Sequence, residues 1–510
     1  MLNFFLKRLN INTLFLIFIM GFSKIDNPLK FFNLNTTFMK ILNLKFLSFL
    51  TLMCIMIVSC NNDDDNGVTP PPPTTPEAPT PTPETPAEVN TIADVAIATP
   101  ELSSLVAALQ EADLVGTLEG DGPFTVFAPT NEAFSAFLTE GGFATVADVP
   151  DEVLSQVLLN HVISGSALES SALTTSYVSS SSTAGVDGKA LSLFVDISDG
   201  VKINGSTVTS ADVEASNGVV HIVDQVIGLP NIVDHALNNP ALSELVGALT
   251  ADDNTTYTDL LSSEDIAFTV FAPVNEAFTA FENPDNNDIN NVLANHVISG
   301  VAFAAGDLTN SYSNTAAVNE DGDALSIYIN TDDGVTLNGE SSVAIADIVA
   351  TNGIIHAVDT VIDLPTVVDF AVADSANFSS LVGALTAEGQ PDFVTTLSTP
   401  WGTDPAPFTV FAPVNSAFDA LEATPEGDAL TAVLQHHVIA GANVVSGDLV
   451  NGLAAATLEG DEITFSTSGD TFTITDGSGN PGTNFVLADV QAINGVVHAI
   501  DTVLIPDTTN

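Results

Sequence analysis

The feature that most constrains this sequence is a long internal repeat of three motifs. The first motif, F-T-V-F-A-P, begins at residues 124, 268 and 408, in steps of 144 and 140 residues. The second motif, N-H-V-I-S-G or H-H-V-I-A-G, begins at residues 160, 295 and 436. The third, N-G-V-V-H or N-G-I-I-H, begins at residues 217, 352 and 494. Solenoid repeats are about 20–45 residues long, so a period near 140 predicts three tandem copies of one domain.

Each copy shows the same order of predicted elements. In the first copy, apolar residues at 102, 105, 106 and 109 predict an opening helix, and F-T-V-F predicts a strand ended by Pro129. Strands punctuated by Gly, Asp and Asn follow, and an Asn-Gly turn leads into a last alternating strand, Val219 to Val226. Helices near the start and strands near the end predict an α+β fold with a mainly antiparallel sheet.

The domain boundaries that we expect follow from the motif positions. They are residues 88–229, 230–364 and 365–507. The copies differ in one segment: the first His follows the Phe of F-T-V-F-A-P by 37 residues in copy one, but by 28 and 29 residues in copies two and three. Copies two and three should therefore lack about one helical turn or a loop.

An asparagine follows each F-T-V-F-A-P strand by two residues. These asparagines are Asn131, Asn275 and Asn415. An asparagine side chain can accept a hydrogen bond from the free backbone N–H groups at a helix start. We therefore expect each of them to cap the short helix that comes next.

Two of these strings identify a family resemblance. T-V-F-A-P-T-N-E-A-F and A-D-V-x-x-x-N-G-V-V-H-x-V-D resemble the two signature segments of fasciclin-like domains, and all three copies carry both. The resemblance implies a compact β-sandwich-like core wrapped by helices. It also implies extracellular adhesion, by contact with other proteins, matrix or glycans, and no enzymatic activity.

The second motif lies where many fasciclin-like domains carry a Tyr-His pair that is implicated in partner binding. The matching residues are Asn160 and His161, Asn295 and His296, and His436 and His437. We name them as candidate partner-binding residues. The residue before the His is never Tyr, so the aromatic anchor that often supplies contact energy is absent. The alternative is that the histidines pack beneath a strand and bond to the backbone.

A second histidine ends the third motif of each copy. It is His221, His356 or His498, and it lies 60, 60 or 61 residues after the first. Two histidines per copy are too few for a structural zinc site, which needs four ligands, so we expect buried imidazoles and no metal. Aspartates flank this histidine at 212 and 224, 347 and 359, and 489 and 501. We expect them to satisfy turns or backbone donors, because no Ser recurs beside them to complete a catalytic triad.

The charge balance excludes several classes of partner. The chain has 64 acidic and 8 basic side chains, and after Cys60 only Lys189 and Lys202 are basic against 63 acids, a formal charge of −61. Such a chain cannot neutralise phosphates, so we expect no nucleic-acid binding. It cannot dock on anionic lipid by a basic patch either. We expect no cofactor, although loose binding of divalent cations is compatible with this charge.

Residues 1–59 have the composition of a targeting region. A short basic segment from residue 40 to 45 precedes an apolar run, residues 46–58, and then Ser59 and Cys60. Ile57-Val58-Ser59-Cys60 resembles the bacterial lipobox, whose Cys receives a diacylglyceryl group and becomes the mature N-terminus. We therefore predict a signal peptide at about 39–59 and lipid attachment at Cys60. The alternative is an ordinary secretory signal with an incidental Cys.

The flanks of this signal carry two further expectations. Residues 1–38 hold a second apolar stretch, and we expect translation to begin at Met39. The acidic cluster at 61–65 resembles the surface-export signal of Bacteroidetes-type lipoproteins, the alternative being a solvated charge run. Residues 60–87 then form a linker rich in Pro and Thr, which favours extended polyproline II.

The sequence supports three hypotheses about function. The first is a lipid-anchored outer-membrane lipoprotein, exposed at the cell surface, that binds extracellular protein, matrix or glycan through its repeated domains. The second is an envelope lipoprotein that binds a small ligand or glycan and participates in uptake. An open apolar pocket with convergent polar groups in one domain would favour the second hypothesis. The third, a hydrolase, lacks a nucleophile paired with a base.

Overall fold

A computed structural model describes residues 90–251, 255–284, 286–469 and 471–507. The expected signal peptide, the lipid attachment at Cys60 and the linker at 60–87 lie outside these residues. The described residues contain three α+β domains in tandem, which confirms the fold class predicted from the repeats.

The first domain contains five α-helices and seven strands among the described residues. Its helices are α1 (Ile92–Ala98), α2 (Ser103–Glu111), α3 (Val115–Leu118), α4 (Asn131–Glu140) and α5 (Asp151–Asn160). Its strands are β1 (Phe124–Pro129), β2 (Val162–Ser164), β3 (Ser176–Ser179), β4 (Ser192–Asp196), β5 (Lys202–Ile203), β6 (Ser206–Ala215) and β7 (Gly218–Val223).

The second domain repeats this order. Its helices are α6 (Ile232–Asn238), α7 (Ser243–Leu249), α8 (Thr256–Leu261), α9 (Asn275–Ala280) and α10 (Ile289–Ala294). Its strands are β8 (Phe268–Pro273), β9 (Val297–Ser299), β10 (Ser311–Val318), β11 (Ala324–Asn330), β12 (Thr336–Leu337), β13 (Ser341–Val349) and β14 (Gly353–Val358).

The third domain repeats the order again. Its helices are α11 (Val367–Ala373), α12 (Ser375–Leu385), α13 (Phe393–Leu397), α14 (Asn415–Asp419) and α15 (Gly427–His436). Its strands are β15 (Phe408–Pro413), β16 (Val438–Ala440), β17 (Ala454–Ala456), β18 (Glu462–Ser468), β19 (Thr471–Thr475), β20 (Pro481–Ala492) and β21 (Gly495–Ile500). The predicted shortening is confirmed, since α9 and α14 have six and five residues where α4 has ten.

Each domain is built on one seven-stranded mixed sheet. In the first domain the strand order is β2-β1-β7-β6-β5-β4-β3, and the other two domains have the equivalent order. The sheet is antiparallel, as expected, except that the first-motif strand pairs parallel to the last strand: Phe127 lies opposite His221. The long strand β6 shifts register twice, before and after Ser210. Such bulges bend a strand, and β6 is hydrogen-bonded to both halves of the sheet.

Alternation along β1 explains why the core has two layers. Val126 and Ala128 pack against the helices, whereas Phe127 packs on the opposite face, against Leu193 and Ile203 of the other half of the sheet. Successive side chains of a strand point to opposite faces, so a strand between two layers must be apolar at every position. The result is the β-sandwich-like core wrapped by helices that the family resemblance implied.

The asparagines after the first motif do not cap the helix that follows, and that prediction was wrong. The N-cap of α4 is Thr130, whose hydroxyl accepts from the N–H of Ala133. Asn131 instead reaches back to the start of α2, where its Oδ1 accepts from Ser104 N at 2.8 Å and its Nδ2 donates to Pro100 O at 3.1 Å. The equivalent asparagines make the same bonds to their own domains: Asn275 to Glu244 N, and Asn415 to Ser380 N.

The Asn-Gly turn ties the opening helix to the sheet. Asn217 accepts from Ile92 N at 2.9 Å and donates to Leu118 O and Gly120 O at 2.8 and 2.7 Å. The next position, 218, requires glycine, because a Cβ there would lie 2.1 Å from the carbonyl oxygen of Phe124. The turn therefore fixes α1, the end of α3 and β1 against each other.

Consecutive domains dock through equivalent contacts. Between the first and second domains, Ser192 Oγ accepts from Val349 N at 2.9 Å. Between the second and third, Ser326 Oγ accepts from Gln491 N at 2.9 Å. A tyrosine on the preceding domain also packs on the opening helix of the next domain in both junctions. The tyrosines are Tyr177, with its ring 5.7 Å from that of His235, and Tyr312, with its ring 5.6 Å from that of Phe370.

Hydropathy adds one observation about the helices. Within the described ranges, no single helix is long and apolar enough to cross a membrane. Helix α1 and the adjoining segment Pro100–Glu111 reach that length and apolarity only as a pair bent by 104°.

Candidate functional site

The first histidine of each copy is a buried bridge between backbone segments. His161 Nε2 accepts from Ile227 N at 2.9 Å, so the ring proton lies on Nδ1, which donates to Val157 O at 2.7 Å. The equivalent bonds recur at His296, with Ile362 N and Val292 O, and at His437, with Leu504 N and Val433 O. The three side chains are 1–3% exposed. Each histidine holds the segment after the last strand against the end of a helix.

Burial keeps these three imidazoles neutral. Desolvation disfavours the charged ring and lowers the pKa of His161, His296 and His437 from 6.5 to about 4, against the raising effect of the backbone carbonyl. None of them can carry a charge at neutral pH. In this conformation they reach a partner only through the segments that they position.

The residues before these histidines are also buried, and they differ in their bonds. Asn160 donates to Gly228 O at 2.7 Å, and Asn295 donates to Asp363 O at 2.9 Å. In the third domain this position is His436. Its Nδ1 lies 3.1 Å from Thr457 Oγ1, and its Nε2 accepts from Gly477 N at 3.0 Å. The six candidate residues therefore form one buried pair in each domain, at the end of a helix and directly before the second-motif strand.

The second histidine of each copy stacks on the central phenylalanine of the first motif. The ring of His221 lies 5.7 Å from that of Phe127 and contacts Leu168 O through Nε2 at 2.8 Å. Its Nδ1 accepts from the N–H of Asp212, a residue at φ +61° whose carboxylate accepts from Ser170 N at 2.7 Å. Asp347 and Asp489 have the same φ and equivalent bonds, to Ala305 N and Ser446 N. The expectation that these aspartates satisfy backbone donors is confirmed.

The aspartates after the second histidine have the same kind of role. Asp224, Asp359 and Asp501 each accept from a backbone N–H on the neighbouring strand, at 2.7–2.8 Å. No group of three or more His, Cys, Asp and Glu side chains among the described residues has a geometry that could hold a metal ion. The repeated polar residues of the motifs therefore act on the fold itself.

The second domain contains an open apolar cleft of about 230 Å³ between its helices and its sheet. Ile232, Leu245 and Val270 line it, and Leu237, 63% exposed, lies at its mouth. The equivalent cleft of the third domain measures about 40 Å³. His296 also lines the larger cleft, but both of its ring nitrogens are bonded to backbone. The walls of the larger cleft therefore present almost no polar groups that could orient a ligand.

A polar pocket lies at the junction of the second and third domains. It also measures about 230 Å³ and is lined by residues of both domains, including Asn286, Asp288, Glu320 and Trp401. A lone Trp is more often buried than exposed, but Trp401 is partly exposed in the wall of this pocket. Sequence reasoning missed the pocket, because its residues come from separate copies of the repeat.

Comparison with known proteins places the chain in a family. The model of the fasciclin domain matches residues 100–230, 240–365 and 376–506, which is more than half of the sequence. The chain therefore belongs to the fasciclin-domain family. Fasciclin domains are associated with cell adhesion and interaction with the extracellular matrix, and they are not enzymes.

Individual relatives match over one domain or over all three. Protein sll1483 of Synechocystis sp. is 44% identical over 138 residues, 27% of this chain and 72% of the relative. The transforming growth factor-beta-induced protein ig-h3 of Sus scrofa is 29% identical over 79% of this chain and 56% of its own length. Periostin of Homo sapiens is 25% identical over 82% of this chain and 48% of its own length. The chain thus spans about half the length of these two animal relatives.

A solved structure also matches part of this chain. It is described as a FAS1 domain pair from the insect cell adhesion molecule fasciclin I. It has 21% sequence identity and a TM-score of 0.34, and the match covers 53% of this chain and 98% of the insect chain.

Proposed function

We propose that this chain is a surface-exposed adhesion or interaction protein, held on the cell envelope by a lipid at Cys60. It binds extracellular protein, matrix or glycan through its three fasciclin domains. The observation that carries the proposal is the repeated docking of the domains, through Ser192 and Val349 at one junction and Ser326 and Gln491 at the other. A fixed row of three similar domains allows several weak contacts to act together when the geometry permits simultaneous engagement.

The anchor follows from the sequence before the first domain. Signal cleavage after Ser59 would leave Cys60 as a lipidated N-terminus in the outer membrane, and several acyl chains hold far better than one. The linker at 60–87 would act as a spacer, at up to about 3.1 Å per residue in polyproline II. The domains would then stand several nanometres from the membrane, where large partners can reach them.

The candidate residues of the second motif contribute to this function by positioning. The residues are Asn160, His161, Asn295, His296, His436 and His437. Because their side chains are buried, we propose that they shape the binding surface through the strand that follows them and the segment after the last strand. A role of this kind predicts that a substitution alters binding only where it also shifts those segments.

The anchoring part is tested with the native cell. Mass spectrometry of the full chain should find a diacylglyceryl group on Cys60, and a Cys60→Ser variant should leave the membrane fraction. External protease should remove the domains from intact cells that carry the wild-type chain. An unmodified Cys60 on freely released protein, or domains protected from external protease, would refute this anchoring.

The adhesion part is tested by attachment of cells to matrix proteins and glycans. Cells with the wild-type chain should attach, and cells with Cys60→Ser should not, although the released chain should still bind the same surface. A chain with His161→Ala, His296→Ala and His437→Ala, checked for folding, should bind less. Full binding by that folded variant would remove these histidines from recognition, and equal attachment with and without the chain would refute the adhesive function.

The apolar cleft of the second domain lacks convergent polar groups, but its apolar lining supports a second candidate, binding of a small apolar ligand during uptake. Its volume of about 230 Å³ and its apolar lining fit a small apolar molecule rather than a glycan. A fluorescent apolar probe should bind the full chain saturably, and Ala236→Phe, which fills the cleft, should abolish that binding. The equivalent Ala371→Phe in the third domain serves as the control, since the cleft there is smaller. Equal binding by both variants would exclude the cleft.

A further inference from the structure

The pocket between the second and third domains exists only because the two domains dock. Its second-domain wall comes from the loop before α10 and from the turn between β10 and β11, with Asn286, Asp288 and Glu320. Its third-domain wall comes from the segment after α13, with Trp401. Leu364 and Ile493 supply an apolar part, and Ile493 packs on the core of the second domain.

The frame around this pocket is fixed by hydrogen bonds that cross the junction. Tyr312 donates to Asp374 Oδ2 at 3.2 Å, and Asn443 donates to Asp323 Oδ2 at 3.1 Å. Together with the bond from Gln491 N to Ser326, they connect the sheet edge of one domain to the next. A pocket whose walls are held before binding loses less entropy when a ligand enters.

The two walls are also fixed within their own domains. Asn494 donates to Leu397 O at 2.8 Å and to Thr399 O at 3.1 Å, which holds the backbone directly before Trp401. On the opposite wall, Asn291 bonds both to the oxygen and to the N–H of Val318, at 2.7 and 2.9 Å. The indole and the polar rim therefore face a space of defined shape.

The composition of the walls identifies the chemistry of a ligand. The indole of Trp401 offers a flat apolar face, and the side-chain amide of Asn286 both donates and accepts hydrogen bonds. The carboxylates of Asp288 and Glu320 accept hydrogen bonds from hydroxyl groups. A pyranose ring matches this set, because it has one apolar face of C–H groups and a rim of hydroxyls.

The charge and the volume of the pocket narrow the class of ligand further. The only basic side chains among the described residues, Lys189 and Lys202, belong to the first domain, so no cation near Asp288 or Glu320 could pair with an acidic sugar. A volume of about 230 Å³ is below the roughly 300–1,000 Å³ of pockets for drug-sized ligands, so it suits one sugar unit at the end of a glycan.

The first junction lacks this arrangement. In the second domain, the position that corresponds to Trp401 is Asp265, and that of Ile493 is Thr351, which donates to Glu264 at 2.9 Å. At the first junction, an acidic side chain therefore stands in place of the indole, and a threonine bonded to a glutamate stands in place of the isoleucine. The difference makes the second junction distinct within an otherwise repetitive molecule.

We propose that the junction of the second and third domains is a binding site for the terminal unit of a neutral saccharide, with Trp401 as the stacking platform. The proposal deepens the adhesive function above and rests on it, by naming one ligand class and the domains that hold it. Hydroxyl groups of the sugar bond to Asn286, Asp288 and Glu320, and its apolar face stacks on the indole.

The single Trp of the chain makes the test direct. The full chain is titrated with maltose, cellobiose, lactose and mannobiose, and with a sialylated and a sulfated oligosaccharide as anionic probes. At least one neutral probe should change the tryptophan emission saturably and give heat by calorimetry, whereas the anionic probes should not. Absence of both signals for every neutral probe, or a stronger response to an anionic probe, would overturn the proposal.

Variants separate stacking from folding. By calorimetry, Trp401→Ala should weaken binding at least tenfold, and Trp401→Phe, which keeps an aromatic face, should retain part of it. Glu264→Ala, at the first junction, is the matched control and should bind as the wild type does. Unchanged binding in a folded Trp401→Ala chain would place the sugar elsewhere and overturn the site. Cell attachment that persists while no neutral sugar binds would refute this site alone and leave the adhesive function standing.

Discussion

His235 and Phe370 occupy the same position in the two junctions between domains, each packed edge-on against a tyrosine of the preceding domain. The ring of His235 lies 5.7 Å from that of Tyr177, and the ring of Phe370 lies 5.6 Å from that of Tyr312. Both side chains are fully buried. One junction therefore has a titratable ring where the other has a hydrocarbon ring.

His235→Phe should stabilise the first junction. Burial lowers the pKa of His235 to about 4, and its Nδ1 is buried with no hydrogen-bond partner among the described residues. Removal of that atom should raise the free energy of unfolding by about 1 kcal/mol at pH 7, because an unpaired buried group costs about 1–3 kcal/mol and one bond to Val349 O is lost. The gain should be larger at pH 5, where the unfolded chain binds a proton that the folded junction excludes. Urea denaturation at both pH values measures it, with Phe370→His as the reciprocal variant; a gain that does not depend on pH would contradict this account.

Mild acid should destabilise all three domains through the buried second-motif histidines His161, His296 and His437. Their pKa is about 4 in the folded chain and 6.5 when exposed, so the unfolded chain binds more protons between these values. Stability is fully present above about pH 6.5 and is lost as the pH falls towards 4. The loss from pH 7 to 5.5 should be roughly 1 kcal/mol for each histidine, since one pKa unit corresponds to about 1.4 kcal/mol. Denaturation curves between pH 5.5 and 8 measure this slope; a flat profile would mean that the rings take up protons without unfolding.

Asn217→Ala should strongly destabilise the first domain. The substitution removes three hydrogen bonds, two of them fully buried, and leaves the N–H of Ile92 and the carbonyl of Leu118 without that partner. We expect a loss of about 2–4 kcal/mol, from unpaired buried groups at about 1–3 kcal/mol each. Asn217→Asp is the control, because it keeps the acceptor but cannot donate to the two carbonyls. A loss under about 0.5 kcal/mol in thermal and urea unfolding would show that the clamp is dispensable.

Asn131→Ala should weaken the start of α2 rather than that of α4. Its Oδ1 accepts from Ser104 N, so its removal should cost about 1 kcal/mol, as for other capping side chains. Thr130→Ala removes the N-cap of α4 and provides the comparison. Hydrogen exchange should show faster exchange in the first turn of α2 for the Asn131 variant and in α4 for the Thr130 variant. The reverse pattern would contradict the assignment of the two caps.

Salt should raise the melting temperature of the whole chain. A formal charge of −61 after Cys60 makes the folded state repel itself, and ions at 0.1 M screen charges beyond about 10 Å. Melting in 20 mM and 500 mM sodium chloride should show an increase of several degrees. Calcium chloride compared with sodium chloride at equal ionic strength then separates screening from loose binding of the divalent ion. An unchanged melting temperature across both series would show that repulsion between the acidic side chains does not destabilise the folded chain.

The burial of the motif residues and their role in stabilising the fold could be predicted in part from the sequence. The constant spacing of His161 and His221 indicated equivalent positions in each copy, and apolar neighbours indicated burial. The partners could not be predicted, because His161 bonds to Ile227, 66 residues away, and Asn217 to Ile92, 125 residues away. One signal was available and missed: Tyr177 and Tyr312 match each other between copies, whereas the third copy has Ala454 at this position. A residue present in every copy except the last is typical of a contact with the next copy.

The sequence by itself determined the number of domains, their α+β class, their family and the order of their strands and turns, because these follow from periodicity and from short motifs that act locally. Only the tertiary structure decided which helix Asn131 caps, which rings meet at the junctions, and that Trp401 and Asn286 share one pocket. These pairings depend on how separate layers and separate domains pack, and packing joins residues far apart in the chain through shapes that no local pattern encodes.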